Sequence, residues 1–476
     1  MSYQTSFPTI RSWIAPLIVS VAAAIISGCS SLPMINPDMA RSNAPVKLES
    51  ARGPLSAQQS KQILDKLKAR GQETGIFDRH LALEEGVTDS PLVIGNRTAL
   101  LRDGPATYQA MFAAIKSAKD YVLMETYIIE DDEVGKQFSD ALIARRAQGL
   151  EVALMYDSAG SFSTPREFFQ RLIDAGIKVQ EFNPVNPLTA KTGWSVNQRD
   201  HRKLLIVDGR IAFVGGINIS SVYSSGSRPG GGGPSHGAPA KSDSIKDSPW
   251  RDTHLQLEGP VVTEFRKLFI ASWTAQKGAP LALRNVDVPP KNVGSEVVRA
   301  IGSSPDDEYS LIYATLISAI NSAESSAWLT NAYFVPDPQL LAALIGAAQR
   351  GVDVKIVLPS KSDFSLVLQA GRSFYEELLA GGVKIYERRG AMLHAKTVVI
   401  DGVWSTIGST NLDWRSFLHN YEINAVVLSP GFGSEMQKMF EADLAASDQI
   451  TLEKWSSRPI KSRVSEITAR LWSRLL

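Results

Sequence analysis

Two nine-residue segments, HRKLLIVDG at His201–Gly209 and HAKTVVIDG at His394–Gly402, share the pattern His-x-Lys-x4-Asp-Gly and lie 193 positions apart. Each runs on to an asparagine ten residues past its aspartate, Asn218 inside GGIN and Asn411 inside GSTN. The likeness extends well beyond the motif. SAKDYVLMETYI from Ser117 is echoed by SAESSAWLTNAYF from Ser322, and ALIARRAQGLEVALMYDS from Ala141 by ALIGAAQRGVDVKIVLPS from Ala343. The offset is 202 between Gly149 and Gly351 but 193 between the histidines, so the halves differ in loop length. One repeat of this size implies a duplicated domain rather than a solenoid. Two separate sheets and one joined sheet both satisfy it.

Within the first half, hydrophobic periodicity predicts helices at Tyr108–Lys119, Lys136–Gln148 and Arg166–Ala175, alternating with strands at Tyr121–Ile129, Glu151–Tyr156 and Lys178–Phe182. Such βα alternation predicts an α/β fold with a largely parallel sheet covered by helices on both faces. The expected organisation is a leader over 1–28, a tether and lead-in helix over 29–90, a first α/β domain over 91–280, a second over 281–450 and a basic amphipathic segment over 451–476. Residues 224–249 (SSGSRPGGGGPSHGAPAKSDSIKDSP) form a Gly-rich insertion with almost no large apolar side chain, expected to be a mobile loop. In the last segment Val464, Ile467, Leu471 and Leu475 fall on one helical face with Arg470, Trp472 and Arg474 around it. That pattern suits either a surface helix packed on the domain or an interfacial membrane helix.

The chain has a single cysteine, Cys29, which excludes an internal disulfide, a Cys-rich zinc site and a redox pair. Arg11 is the only charge in the first 28 residues; the uncharged stretch SWIAPLIVSVAAAIIS follows it and leads to Ile26-Ser27-Gly28-Cys29. A positive start, a short apolar core and small residues at its end are the pattern of a secretory signal. An uncleaved membrane anchor is the alternative, though the stretch is shorter than the roughly 20 residues that span a bilayer. The last four residues resemble a bacterial lipobox. That resemblance implies lipidation of Cys29 and attachment to the periplasmic side of the bacterial envelope. By resemblance to enterobacterial sorting signals, Ser30 in place of an aspartate implies the outer membrane. Beyond the leader, 49 basic residues balance 49 acidic ones, which gives no encouragement to a nucleic-acid binder.

The chemistry of the repeated motif follows from residue type and strand period. Side chains alternate along a strand, so His201 and Lys203 share a face, as do His394 and Lys396. An ammonium binds phosphate oxygens, while an imidazole attacks phosphorus when neutral or donates a proton when charged. With these residues the chain resembles the phospholipase D superfamily from about Pro91 to about Ala446. The resemblance implies two duplicated domains with one active site at their pseudo-two-fold interface. It implies His201, Lys203 and Asp208 with His394, Lys396 and Asp401 as the catalytic motif set. One histidine would form a phosphohistidine while the other serves as acid and base. The assignment adopted is His201 as nucleophile and His394 as proton carrier. Lys203, Lys396, Asn218 and Asn411 would neutralise the phosphate oxygens, with Ser409 as an added phosphate donor where the first copy has Gly216. Asp208 and Asp401 are expected in structural, turn-capping roles. Glu422 is expected to orient His394, and Asp252 to orient His201. No metal or other cofactor is required.

The remaining candidates are weaker. Tyr127 and Tyr333 are equivalent strand-end aromatics suited to core, pocket wall or substrate contact. His254 is expected as a satisfied structural histidine, His419 is a possible substrate contact close to Glu422, and His80 and His236 have no assigned partner.

The motif fixes the reaction and leaves the diester open. IIEDDEVGKQFSDAL, WRDTHLQLEGPVV, AYFVPDPQLLAAL and NLDWRSFLHNYEINAVV are similar to segments of bacterial cardiolipin synthases. That similarity implies transfer of a phosphatidyl group from one phosphatidylglycerol to another at a membrane surface. It comes with one departure, a lipoprotein-like leader where that family has a pair of transmembrane helices. Hydrolysis of phospholipids to phosphatidic acid and cleavage of nucleic acids are the rival reactions. A non-catalytic lipid-binding module is the rival from another class, and it predicts a lost motif residue. Both motifs are complete. No nucleic-acid partner is expected, and no protein partner is inferable.

Overall fold

A computed structural model of the chain describes residues 46–70, 74–82, 84, 90–186, 195, 197–226, 248–284 and 291–476, together with Leu32. The leader, Cys29, His236 and most of the Gly-rich insertion lie outside the described residues.

The first half opens with β1 (Leu92–Arg102), which runs directly into α1 (Asp103–Ser117). The helix begins five residues before the predicted Tyr108 because Asp103, at φ 66°, turns the chain sharply. β2 (Tyr121–Thr126), α2 (Glu133–Ala147), β3 (Glu151–Asp157), α3 (Arg166–Asp174) and β4 (Lys178–Phe182) follow. Asp132 caps α2 by accepting from the Gly135 N–H. Next come the hairpin β5 (Lys203–Val207) and β6 (Ile211–Gly215), then β7 (Thr253–Glu258) and α4 (Val262–Ala275).

The second half repeats this order. It comprises β8 (Glu296–Ser303), α5 (Leu311–Ser322), β9 (Ser326–Thr330), α6 (Pro338–Gln349), β10 (Asp353–Pro359) and β11 (Lys384–Arg388). The hairpin β12 (Thr397–Ile400) and β13 (Trp404–Gly408), then β14 (Asn420–Leu428) and α7 (Pro430–Ala445), complete it.

The halves form one joined sheet. Its order is β4-β3-β2-β5-β6-β7-β1 in the first half, and β8-β14-β13-β12-β9-β10-β11 in the second. Antiparallel pairing of β1 with β8 joins the two. Pairing is parallel in the trios β2-β3-β4 and β9-β10-β11, where helices provide the crossovers. It is antiparallel through the hairpins and across the junction, so the sheet is mixed.

Burial follows the period-two alternation. Leu204 and Ile206 of β5 enter a core with Phe265, Phe269 and Trp273 of α4, and this core continues into the second half through Val298, Ala425, Phe432 and Met436. Leu205 and Val207 point the other way, into a core with Met111, Ile115, Phe138 and Phe169. A core shared by both halves, with its apolar area removed from water, holds the pseudo-two-fold arrangement rigid.

Residues before β1 pack onto this frame. The helix Ala57–Arg70 starts with a capping box, in which Gln59 N–H donates to Ser56 Oγ and Ser56 N–H to Gln59 Oε1. His80 is fully buried, with Nδ1 3.1 Å from Ser318 Oγ, Nε2 3.6 Å from Glu84 and its ring edge-on to Trp404. It belongs to the packing of the lead-in segment on the second half.

Candidate active site

Both His-x-Lys segments lie at the junction between halves, and short parallel pairings bring them there. Arg199–Asp200, just before His201, pairs with Asn420–Tyr421, just before Glu422. Trp250–Arg251, just before Asp252, pairs with Met392–Leu393, just before His394. The His201 N–H donates to Tyr421 O at 2.9 Å and the His394 N–H to Arg251 O at 2.8 Å.

This zippering crosses the carboxylates over. Nδ1 of His201 lies 3.1 Å from both Glu422 oxygens, and Nδ1 of His394 lies 2.7 Å from Asp252 Oδ2. The expected assignment, Glu422 with His394 and Asp252 with His201, is corrected. Each histidine takes its acid from the other half, because the residue preceding each acid is bonded to the opposite motif.

The electrostatics fix the tautomers. Burial pushes Glu422 up, but His201, Lys203 and the Ser409 hydroxyl outweigh it and hold the carboxyl down to about 2. Burial likewise raises Asp252, and His394 and Lys396 outweigh it to leave that carboxyl below its usual range. Two ionised carboxylates at Nδ1 require the proton on Nδ1 of each ring. Each Nε2 is then free to act. Burial drives His201 down to about 4, opposed by Glu422 and assisted by Lys203. His394 is lowered by burial and by Lys396. In the ligand-free site burial thus favours the neutral form of both rings.

Lys203 and Lys396 are fully buried, each donating to the carbonyl of its own histidine. Burial lowers Lys203 to about 7, against Glu422, and Lys396 to about 8, against Asp252. Two lysines whose charge is disfavoured by burial are suited to a phosphodiester anion, whose arrival would restore that charge.

The other expected residues fall into distinct places. Asn218 accepts from the Ile128 N–H at 3.2 Å and donates to the Tyr223 hydroxyl at 3.1 Å, whereas the buried Asn411 carbonyl oxygen has no partner among the described residues. Ser409 donates to Glu422, so it positions a carboxylate, which corrects its expected phosphate role. At the equivalent Gly216, a Cβ would stand 2.3 Å from Asp252 Oδ1, so glycine leaves the space that Asp252 fills.

Asp208 and Asp401 lie at the far ends of β5 and β12, away from the histidines. Asp208, at φ 53°, accepts from the N–H groups of Lys119, Asp120 and Tyr121; Asp401, at φ 50°, accepts from those of Glu324, Ser325 and Ser326. They tie each hairpin turn to the start of the neighbouring strand.

Tyr127 packs edge-on to His201 at 5.0 Å, and Tyr333 stands 6.3 Å from His394, so each flanks one catalytic ring. His254 is not the satisfied histidine expected. It is fully buried beside Asp252 and Lys203, neither ring nitrogen has a hydrogen-bond partner among the described residues, and burial lowers it to about 3. The His419 carbonyl accepts from Arg199 N–H, which ties its loop to the first motif.

Sequence reasoning passed over Tyr223 and Trp250. The Tyr223 hydroxyl lies 3.3 Å from His394 Nδ1, and Trp250 packs against the same ring at 5.3 Å. They bracket the Gly-rich insertion, and Tyr223 has no counterpart in the second copy, where Ser416 stands five residues past Asn411. It also passed over Arg202, which donates to Glu422 O and Ser303 O across the junction.

Comparisons with known proteins agree with this geometry. The family model described as cardiolipin synthase, PLD-like domain, matches residues 111–225 and 316–444. A cardiolipin synthase of Alkalihalophilus pseudofirmus is 33% identical over 393 residues, which is 81% of this chain and 74% of that protein. Cardiolipin synthase A of Pseudomonas putida is 34% identical over 392 residues, 81% of this chain and 76% of that one. Among solved structures, phosphatidylserine synthase of Haemophilus influenzae superposes with a TM-score of 0.55 at 12% identity, covering 80% of this chain and 95% of that one, a likeness of fold. With both halves matched and both His-x-Lys pairs at one junction, the chain belongs to the cardiolipin synthase family of phospholipase D-like proteins.

Proposed function

We propose that the chain is a phosphatidyltransferase that makes cardiolipin from two molecules of phosphatidylglycerol by a ping-pong phosphohistidine mechanism. The observation that carries this reading is the pair of crossed His–carboxylate couples, which leave two Nε2 atoms free at one junction. In the first step His201 Nε2 attacks phosphorus and the bond to the glycerol headgroup breaks. The bound diester anion and the ionised Asp252 draw a solvent proton onto His394 Nε2, and this imidazolium gives it to the departing glycerol oxygen. In the second step His394 takes the proton from a hydroxyl of another phosphatidylglycerol. That oxygen attacks phosphorus, the P–N bond breaks, and cardiolipin leaves with both histidines restored. Lys203 and Lys396 stabilise the charge that gathers on the non-bridging oxygens. The neutral, buried His201 supports its role as nucleophile, and the 2.7 Å contact to Asp252 suits a ring that becomes an imidazolium.

The leader ending at Cys29 supports a location in the bacterial envelope, with the lipidated chain on the periplasmic side and sorted to the outer membrane. Among the described residues no helix is long and apolar enough to cross a membrane.

Incubation of the purified protein with labelled phosphatidylglycerol, with and without added alcohols, tests the reaction. Cardiolipin with released glycerol is the expected outcome. Phosphatidic acid alone would make the protein a hydrolase, and DNA cleavage without a lipid product would overturn the lipid reading. His201→Asn and His394→Asn should each abolish turnover. Mass spectrometry of the mature N-terminus tests the lipidation of Cys29.

A further inference from the structure

The C-terminal helix α8 (Ile460–Arg470) is built inside out. Its buried positions are Glu466, held by Arg458 at 2.8 Å, and the small Ala469. Its apolar face points to solvent: Ile467 is 62% exposed and Leu471, just past the helix, 80%, with Ile460 and Val464 continuing the stripe and Trp472 beside it. A helix that docks through a polar side chain and presents its apolar stripe outward leaves a patch that a soluble surface rarely carries. Residues 457–476 hold five basic side chains (Arg458, Lys461, Arg463, Arg470 and Arg474) against one acid, Glu466. Basic charge around an exposed apolar stripe complements an anionic lipid surface.

The stripe is tied to the mouth of the site. α8 packs on the helix Ser365–Arg372, which begins directly after the exposed Phe364. Asp363, next to Phe364, accepts from the hydroxyl of Tyr333, which flanks His394. Phe162 lies 202 positions before Phe364, the same offset that relates Gly149 to Gly351, and is 76% exposed. Its neighbour Ser161 donates to the carbonyl of Tyr127, which flanks His201. Both halves therefore carry a bare phenylalanine on the loop that hangs from the tyrosine flanking its own histidine.

We propose that Phe162, Phe364 and the outward face of α8 form one membrane-docking face, which seats the mouth of the His201–His394 site on an anionic bilayer. The choice of a bilayer as occupant rests on the lipid-substrate reading above, but docking is measurable without turnover. Cys29 is the only cysteine, so in the full chain Cys29→Ser allows one polarity-sensitive fluorophore at a time, through Phe162→Cys, Phe364→Cys or Leu471→Cys. Ile173→Cys, at the exposed end of α3, is the control.

On vesicles of phosphatidylglycerol and phosphatidylcholine, labels at 162, 364 and 471 should shift to the blue and be quenched by spin-labelled acyl chains. The label at 173 should stay in water. Lys461→Ser with Arg474→Ser should weaken vesicle binding about fivefold per residue removed, an effect absent on phosphatidylcholine alone. Failure to bind vesicles, a water-exposed label at 471 on bound protein, or equal immersion of 173 would each overturn the proposal. Ile467→Glu with Leu471→Glu should lower turnover on vesicles and spare turnover of a monomeric short-chain phosphatidylglycerol. If no lipid is turned over at all, the proposed reaction fails while the fluorescence still decides the docking.

Discussion

Glu422→Gln offers a direct test of the crossed carboxylates. Glu422 receives three donors: His201 Nδ1–H at 3.1 Å, the Ser409 hydroxyl, and Asn420 Nδ2–H at 3.2 Å. A glutamine amide can accept through one oxygen only and turns its NH2 toward another donor. The charge that supports a cationic, phosphorylated His201 ring is lost as well. Charged hydrogen bonds contribute about 1.5–3 kcal/mol, roughly ten- to hundredfold in rate, and a wrong tautomer in a comparable carboxylate–histidine pair costs about 10⁴. A drop in kcat on the order of 10²–10³ is expected. The assay uses a phosphodiester with a p-nitrophenol leaving group, which departs without needing a proton. His394→Asn should still release a stoichiometric burst and then stall, while His201→Asn should give no burst. Glu422→Gln should follow His201→Asn, and Asp252→Asn should follow His394→Asn. If Glu422→Gln instead behaves like His394→Asn, the crossed pairing is wrong, whichever histidine is the nucleophile.

Three further outcomes follow from the same geometry. Gly216→Ser, which copies Ser409 into the first half, would place a Cβ 2.3 Å from Asp252 Oδ1 and should depress kcat as far as Asp252→Asn does, measured by steady-state kinetics. Asp208→Ala strands three backbone N–H groups and puts alanine at φ 53°, so it should lower unfolding free energy by about 2–4 kcal/mol in a denaturant titration while the activity of the folded fraction persists. Inorganic phosphate should protect the protein against thermal unfolding below about pH 7, and this protection should fade as pH rises past about 8, because Lys203 and Lys396 lose their charge in that window. The ligand-free protein should show the opposite slope. Both lysines bind fewer protons folded than unfolded above those values, so their contribution to stability rises with pH until the unfolded value of 10.5 is passed.

The duplication, the parallel trios and the two His-x-Lys pairs were legible because each leaves a local trace: periodicity, an echo at fixed offset, or a short motif. β1 was missed because Gly95, Asn96 and Arg97 interrupt its apolar pattern and its value lies in pairing with β7 and β8, far away in sequence. Asp252 and Glu422 were legible as acids near the histidines, but not which acid serves which ring. That depends on two two-residue pairings between halves, Arg199–Asp200 with Asn420–Tyr421 and Trp250–Arg251 with Met392–Leu393, and such short contacts carry no periodic signal. Tyr223 stayed hidden for the complementary reason: reading one copy against the other discards what only one copy possesses.

Those unshared residues matter because a ping-pong transfer asks different things of its two histidines. A nucleophile must remain unprotonated and hold one orientation, while an acid–base group must change charge twice per cycle. Glu422 meets His201 with both oxygens and is itself fixed by Ser409 and Asn420, which suits an immobile ring. Asp252 meets His394 through one oxygen, receives the Thr253 N–H at 2.7 Å, and shares the Nδ1 edge with the Tyr223 hydroxyl. A duplicated scaffold begins with equal half-sites. Gly216 against Ser409, and Tyr223 against Ser416, are substitutions small enough to keep the shared core and large enough to separate the roles. On this argument Tyr223→Phe should shift the pH dependence of the second, acceptor-requiring step and leave the p-nitrophenol burst unchanged; an altered burst with an unmoved pH profile would place the tyrosine on the nucleophile's side instead.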